Sequence, residues 1–267
     1  MGEIVEFDSA NRGELQVNMS HAITRASHGL SLVEKRIVAL FIAKFSGKKR
    51  IKGVRGEALL IGERQVKITA EEYSETFGVD PKIAYRDLIK ASETFLRRNW
   101  SYKRPTKQQG KFVTTKGNWL STIEYHDGEG WVEATFTNET VPHLIMALGE
   151  QFTKYRLKAT AALTGTYTWR LWELLSQYAD PDEKTKQRDK ERWIRITLDE
   201  FKLMMEAPKS YKFSQIRQKI IEPAIKQIED KNEIKVDWKP LKKGRSVNAL
   251  EFRFTPSEQL TLFGASY

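Results

Sequence analysis

The sequence predicts an α+β chain of two tandem winged-helix domains, each a helix-turn-helix followed by a β-hairpin wing. Three observations carry that prediction. One short phrase occurs twice: residues 68–73 read ITAEEY and 196–201 read ITLDEF, so the pair Thr69/Glu72 returns as Thr197/Glu200 and Tyr73 returns as Phe201. Threonine with glutamate three places on is a capping box, in which each side chain satisfies the other residue's backbone N–H at a helix start. A turn and a second helix follow each copy. Strands around a tight turn then follow each second helix.

The chain has 267 residues, room for two ordinary domains, and 40% hydrophobic residues to build their cores. Its formal net charge is +10 with a pI near 9.5, which suits a polyanionic partner. The alternative is a basic surface that is merely solvated, and clustering separates the two. Between Lys209 and Arg245 eleven lysines and arginines stand against five acids, so the excess lies at the second helix-turn-helix. Cysteine is absent, which excludes disulfides and thiolate metal sites and fits a reducing cytoplasm. The sequence shows no secretory signal and no apolar run long enough to cross a bilayer, so no membrane partner is expected.

In order, residues 1–17 are weakly patterned and read as an N-terminal arm. The first winged helix is assigned to 18–150. Met19 to His28 reads as a helix and Leu30 to Phe45 as a longer one. Ser31 and Glu34 form a capping box there, and Val33, Ile37, Leu40, Phe41 and Ala43 supply an apolar face. Residues 46–57, rich in Gly, Lys and Arg, read as a loop, and 59–61 and 65–68 as short strands. The first helix-turn-helix covers 69–98. Phe77-Gly78-Val79 makes its turn, and Asp80-Pro81 opens its second helix, aspartate as cap and proline at the first helical position. Ala84, Leu88, Ala91 and Phe95 line one side of that helix, and Lys82, Arg86, Lys90 and Arg97 the other. The basic side is open to two readings, a DNA-facing surface or a solvated one. Strand-rich stretches follow at 99–105 and 111–137, with a hairpin turn at 127–130, and 138–148 returns to helix.

Residues 151–162 separate the two units; without the Gly, Ser or Pro of a flexible linker, this junction reads as partly ordered. The second winged helix is assigned to 163–255. Thr166 to Tyr178 is a helix with Leu171, Leu174, Leu175 and Tyr178 on its core side and Trp169 and Trp172 at that side's edges. It echoes the earlier helix, Arg170-Leu171 standing where Arg36-Ile37 stood. Residues 180–192 are charged and read as a surface loop. Ile194 and Ile196 alternate as a strand, Thr197 caps a helix, Ala207-Pro208-Lys209-Ser210 breaks it, and Ser210 can cap the next.

That next helix carries Phe213, Ile216, Ile220, Ala224, Ile225 and Ile228 on one face and Lys212, Gln215, Gln218, Lys219 and Lys226 on the other. Lysine and glutamine are side chains that reach phosphates and base edges. Arg217 falls by helical phase within the apolar side, so it reads either as a partly buried structural arginine or as a further base reader. Pro223 removes a backbone donor, and a kink or helix end is expected near it. Asn232 to Trp238 and Val247 to Phe254 pair as a hairpin. Its tip, Lys239-Pro240-Leu241-Lys242-Lys243-Gly244-Arg245, is basic enough to rest on a DNA backbone or minor groove.

Catalytic patterns are missing. No G-x-x-x-x-G-K-[ST] occurs, which speaks against a P-loop ATPase. His21, His28, His126 and His143 are scattered and form neither H-x-H nor H-E-x-x-H, which argues against a nicking relaxase and a zinc peptidase. Tryptophan and phenylalanine fall at core spacing, as packing and not as base-stacking platforms. No enzymatic activity, metal or cofactor is expected. The tail, 256–267, holds Gln259-Leu260-Thr261-Leu262-Phe263, apolar where a polar end is usual. It reads as a strand packing back on the domain or as a short linear motif. The motif resembles the pentapeptide by which many bacterial replication proteins dock on the sliding clamp. Gln259, Leu260, Leu262 and Phe263 match it, whereas Thr261 stands where serine or aspartate is commoner.

From about Asn18 to Phe254 the chain resembles the plasmid replication initiators that bind iterons, the type that includes the initiator of the F plasmid. SLVEKRIVALF, VKITAEEYSETFGV and FTKYRL are consistent with it; TGTYTWRLWELLSQY and IRITLDEF with SYKFSQIRQKIIEPAIKQI are more specific. The resemblance implies a monomer on direct repeats of double-stranded DNA at a plasmid origin. It also implies a dimer, formed largely through the first domain, that represses the initiator's own promoter. Host initiator and helicase are recruited and no chemistry is performed. The implied location is the bacterial cytoplasm, on the plasmid or nucleoid. DNA contact is carried onto Lys212, Ser214, Gln215, Gln218 and Lys219, with Arg217 as a further candidate, and more loosely onto Lys82 and Arg86. Lys209 and the wing residues Lys239, Lys242, Lys243 and Arg245 complete the expected DNA-binding set. A clamp-like tail belongs to some such initiators only. The rivals are a dimeric winged-helix transcriptional repressor without a replication role, and a tyrosine-dependent nicking initiator, which lacks the histidine pair it needs.

Overall fold

The computed structural model describes residues 15–47, 64–108, 110–144, 152–179 and 191–256. The chain enters as β1 (Gln16–Ser20) and the short α1 (His21–Thr24), followed by α2 (Leu32–Gly47). The helix expected from Met19 to His28 is therefore a strand end and one helical turn. Met19 and Ser20 are drawn into strand by pairing with Thr153 and Phe152, and Ser20 Oγ accepts the Ile23 N–H to cap α1. At the start of α2 the expected box is closed: Ser31 Oγ accepts the Glu34 N–H at 3.3 Å, and Glu34 Oε2 accepts the Ser31 N–H at 2.8 Å. Every residue from Ile37 to Ala43 is buried, so α2 is not a helix with one apolar face. It is a central helix, as a segment apolar on all sides must be.

Next come β2 (Gln65–Thr69), α3 (Ala70–Phe77) and α4 (Pro81–Thr94), the predicted helix-turn-helix. Thr69 and Glu72 cap α3 reciprocally at 3.1 and 2.9 Å. Gly78 ends α3 at φ +60°, a conformation that costs any residue with a Cβ, and Asp80 caps α4. Then follow β3 (Asn99–Pro105), β4 (Phe112–Asn118), β5 (Leu120–His126) and β6 (Trp131–Phe136). Strands β2, β6 and β5 make an antiparallel sheet whose β5–β6 hairpin is the first wing, while β3 and β4 pair with each other as an inserted hairpin that Ser101 of β3 bridges to Ser27. Where a helix was expected over 138–148, the described part holds a single 3₁₀ turn, Val141–His143.

The stretch expected at the junction supplies β7 (Phe152–Arg156), paired antiparallel with β1, and α5 (Lys158–Ala161). In α6 (Thr166–Ser176) all residues from Thr168 to Ser176 are buried, Arg170 and Glu173 included. The second winged helix continues as β8 (Arg192–Thr197), α7 (Leu198–Met204), α8 (Phe213–Ile216), a π-helical turn (Arg217–Ile221), α9 (Glu222–Asn232), β9 (Val236–Lys243) and β10 (Ser246–Phe254). Its sheet order is β8-β10-β9. Asn232, expected in a strand, instead ends α9 and donates to the Ala159 carbonyl at 2.8 Å. The wing strands reach further than expected, so only Gly244 and Arg245 turn, with Gly244 at φ +64°. Pro240 is tolerated in β9 because that strand is an edge.

One hydrophobic core runs from Leu15 to Phe254, with α6 packed against α9 and β7. Residues 1–14 of the expected arm, the loops at 48–57 and 180–190, the strand at 59–61 and the tail motif Gln259, Leu260, Leu262 and Phe263 lie outside the described residues.

Candidate nucleic-acid interface

In the second winged helix α7 ends at Met204 with Met205 as its cap, and Glu206 turns the chain with φ +52°. The reader helix starts at Phe213, not after Ser210. Its first turn is closed by Gln215, whose Oε1 accepts the Lys212 N–H at 2.9 Å. That bond keeps Gln215 half-buried and its acceptor occupied. Lys209, Lys212, Ser214, Gln218 and Lys219 are exposed, and Lys219 Nζ sits 5.1 Å from the centre of the Tyr211 ring.

Arg217 is 57% exposed, so it is not a buried structural arginine; its Nε donates to Glu222 Oε1 at 2.6 Å. The cause is the π-turn. Pro223 has no N–H to give, and the Glu222 N–H reaches back five residues to the Arg217 carbonyl. The wider turn buries Ile220 and Ile221 together and leaves Arg217, Gln218 and Lys219 all outside.

On the second wing Lys242, Lys243 and Arg245 are exposed and form no ion pair among the described residues. Lys239 differs: its Nζ lies 3.0 Å from Glu251 Oε1, and Arg195 reaches Glu251 Oε2 at 2.9 Å. Hydrogen bonds from Arg195 and then Lys239 hold the Glu251 carboxyl down to about 2. Trp193, expected as packing, is instead 61% exposed on β8, with the Arg195 guanidinium 5.7 Å from its ring centre.

In the first winged helix Lys82 and Arg86 are exposed on α4, in one stripe with Lys90 and Arg97 and beside a 40% exposed Ile83. The wing next to them carries Glu124, Asp127, Glu129 and Glu133 and no lysine or arginine. This wing leans on its own reader, since Tyr85 Oη accepts the Gly128 N–H at 3.4 Å and Tyr85 meets Tyr125 edge-on at 5.9 Å. The basic element of this half is the inserted hairpin, with exposed Lys103, Arg104, Lys107, Lys111 and Lys116 and no acid. Strand β4 is open on both faces at its start, Phe112 being 64% and Val113 40% exposed.

A buried ionic cluster fixes the two halves to each other. Glu173 of α6 takes Lys35 Nζ of α2 at 2.6 Å on one oxygen and Arg170 Nη1 at 2.8 Å on the other, and Tyr155 of β7 donates to it at 3.0 Å. Arg170 also donates to the Met204 carbonyl at the end of α7 and to the Ala26 carbonyl before α2. Glu206 accepts the N–H groups of His28 and Gly29. Burial, then the charges of Arg170 and Lys35, keeps His28 well below the usual imidazole range, and burial brings Lys35 down to about 8. The only sign of this cluster in the sequence is polar residues inside apolar helices.

Among the described residues no three of His, Cys, Asp and Glu gather as a metal site, and no helix is long and apolar enough to cross a membrane. Residues 16–176 match the family model described as Initiator Replication protein, WH1, and residues 197–254 the model described as Initiator Rep protein, WH2. A replication initiation protein of Escherichia coli is 25% identical over 203 residues; these are 75% of this chain, and the chain spans 59% of the length of that relative. An uncharacterized 27.6 kDa protein of Escherichia coli is 24% identical over 225 residues, 84% of this chain and 89% of the relative. The crystal structure of Pi initiator protein in complex with iteron DNA superposes with a TM-score of 0.69 at 22% identity, over 92% of this chain and 99% of that one. At that identity the likeness establishes the shared two-winged-helix fold.

Proposed function

The chain belongs to the family of initiator replication proteins, and from that premise we propose that it initiates plasmid replication by binding direct repeats, iterons, at an origin. The observation that carries the reading is the pairing, within one winged helix, of an exposed Lys212-Ser214-Gln218-Lys219 stripe with the exposed cations Lys242, Lys243 and Arg245 on the wing. A helix of that kind enters a major groove and a basic wing tracks the adjoining backbone. The Pi initiator protein, whose fold this chain shares, was crystallised with iteron DNA, which supports the same class of target. The first domain adds Lys82 and Arg86, and its acidic wing stays off the phosphates.

The protein acts on iterons as a monomer and represses its own promoter as a dimer. The open β4 edge, which pairs with β3 alone among the described residues, supports a first-domain dimer seam. Host initiator and helicase are brought to the opened origin, and Gln259, Leu260, Leu262 and Phe263 engage the sliding clamp. No bond chemistry is needed for these steps, and the working place is the bacterial cytoplasm. The test is selection of bound duplexes from a random library, followed by footprinting. An asymmetric site of about two helical turns covered by one monomer supports the reading. A palindrome bound only by a dimer points to a plain repressor, and no preference at physiological salt sinks sequence reading altogether.

A further inference from the structure

Glu222 is an odd residue for a DNA-facing helix. It is 43% exposed in the stretch that supplies Arg217, Gln218 and Lys219, and a carboxylate there repels phosphate. Exposed ion pairs contribute little to stability, so folding does not explain it. What it does touch is specific: Oε1 accepts from Arg217 Nε at 2.6 Å, and neither Nη of Arg217 has a partner among the described residues. A guanidinium held at Nε presents its two Nη groups as a fork, the geometry that reads O6 and N7 of guanine.

The backbone supplies the reason the two meet. Residues five apart on an α-helix point about 140° from each other, because each residue turns about 100°. The π-turn at Arg217–Ile221, with the Glu222 N–H bonded to the Arg217 carbonyl, stacks position 217 over position 222. We propose that Glu222 is a positioning residue that presents Arg217 as a guanine reader, the pair being brought together by the π-turn ahead of Pro223. The inference rests on the reading of this helix as the sequence reader.

The test compares the full chain with Glu222→Ala, Glu222→Gln and Arg217→Lys, by selection from a random duplex library and by affinity for the selected site and for unrelated DNA. The wild-type protein selects a site with one G·C position that Arg217→Lys relaxes by about tenfold or more. Glu222→Ala relaxes that same position and no other, while its affinity for unrelated DNA rises because a repulsive charge is gone. Glu222→Gln keeps an acceptor for Nε and retains most of the preference. If Glu222→Ala tightens binding to every sequence and leaves the preference unchanged, Glu222 is a spectator and the proposal falls while the reader helix stands. If the variant blurs all positions alike, the residue supports the helix generally and the proposal falls too. A wild-type protein that selects nothing overturns the underlying reading as well.

Discussion

Replacing Glu173 by glutamine should destabilise the fold strongly. The carboxylate is fully buried and serves Lys35 at 2.6 Å, Arg170 at 2.8 Å and the Tyr155 hydroxyl at 3.0 Å. The amide has no charge to offer, and its NH2 must face one of two cations. Lys35, already held near 8, can escape by losing its proton. Arg170 cannot, because a guanidinium stays charged in proteins, and it is only 2% exposed. An uncompensated buried charge of this kind costs about 3–5 kcal/mol, against a total stability of about 5–15 kcal/mol. For a chain of this size that is a fall in Tm of roughly 6–20 °C. Urea unfolding at pH 7, followed by far-UV circular dichroism, measures it. A loss below about 1 kcal/mol would refute the claim that both cations depend on Glu173. The companion Lys35→Met, Arg170→Met, Glu173→Met variant, which removes all three charges, should stay within a few kcal/mol of wild type in either direction, as apolar replacements of buried ion clusters do.

Further outcomes follow from particular residues. His28 stays neutral in the fold while the unfolded chain takes up a proton below its ordinary 6.5, so stability falls as pH drops below that value, and His28→Gln should flatten the decline. Lys35 acts with the same sign at alkaline pH. Its folded pKa near 8 lies below the unfolded 10.5, so stability rises between about pH 8 and 10, and Lys35→Met removes the rise in a pH series of urea midpoints. Gly117→Ala puts a Cβ 2.3 Å from the buried Trp100 ring, which must shift, at about 1–3 kcal/mol by thermal unfolding. On DNA, Gln218→Ala should cost about 1–3 kcal/mol and relax one base position. Lys242→Ala or Lys243→Ala should instead weaken binding to every sequence and lower the salt slope by about 0.9 each, read from affinities at several salt concentrations.

Local signals were legible in the sequence and long-range ones were not. The boxes at Ser31/Glu34, Thr69/Glu72 and Thr197/Glu200 place three helix starts because both partners lie within one turn. The β1–β7 pair was invisible, since Val17 pairs with Tyr155 far along the chain and neither strand is long enough to show its period. Central placement of α2 and α6 was hidden for another reason. Lys35, Arg170 and Glu173 read as surface residues until their mutual compensation is seen. At the reader, a uniform helical wheel put Arg217 among the isoleucines. One extra residue in the π-turn shifts the phase and turns it outward, and Pro223 marked the place of that shift without giving its direction.

The two winged helices are alike in chain path and unlike in charge, and the difference assigns their work. A wing that meets phosphate needs cations at its turn. The second has Lys242, Lys243 and Arg245 there; the first has Asp127 and Glu129, and spends its turn on Tyr85 of its own reader. At the wings, charge therefore favours the second half as the one that grips DNA closely, and the first half's cations lie instead on the α4 stripe and the inserted hairpin. Yet the halves are not independent binders. Arg170 bonds one carbonyl on each side of the seam, and Glu206, just past α7 of the second half, holds the His28–Gly29 turn of the first. A reader whose position is fixed by a buried ionic cluster can match a second reader at one helical phase only. On the proposed reading of both helices, that fixed phase would supply discrimination with no further base contacts, and breaking the cluster should lose it even with every exposed side chain left in place.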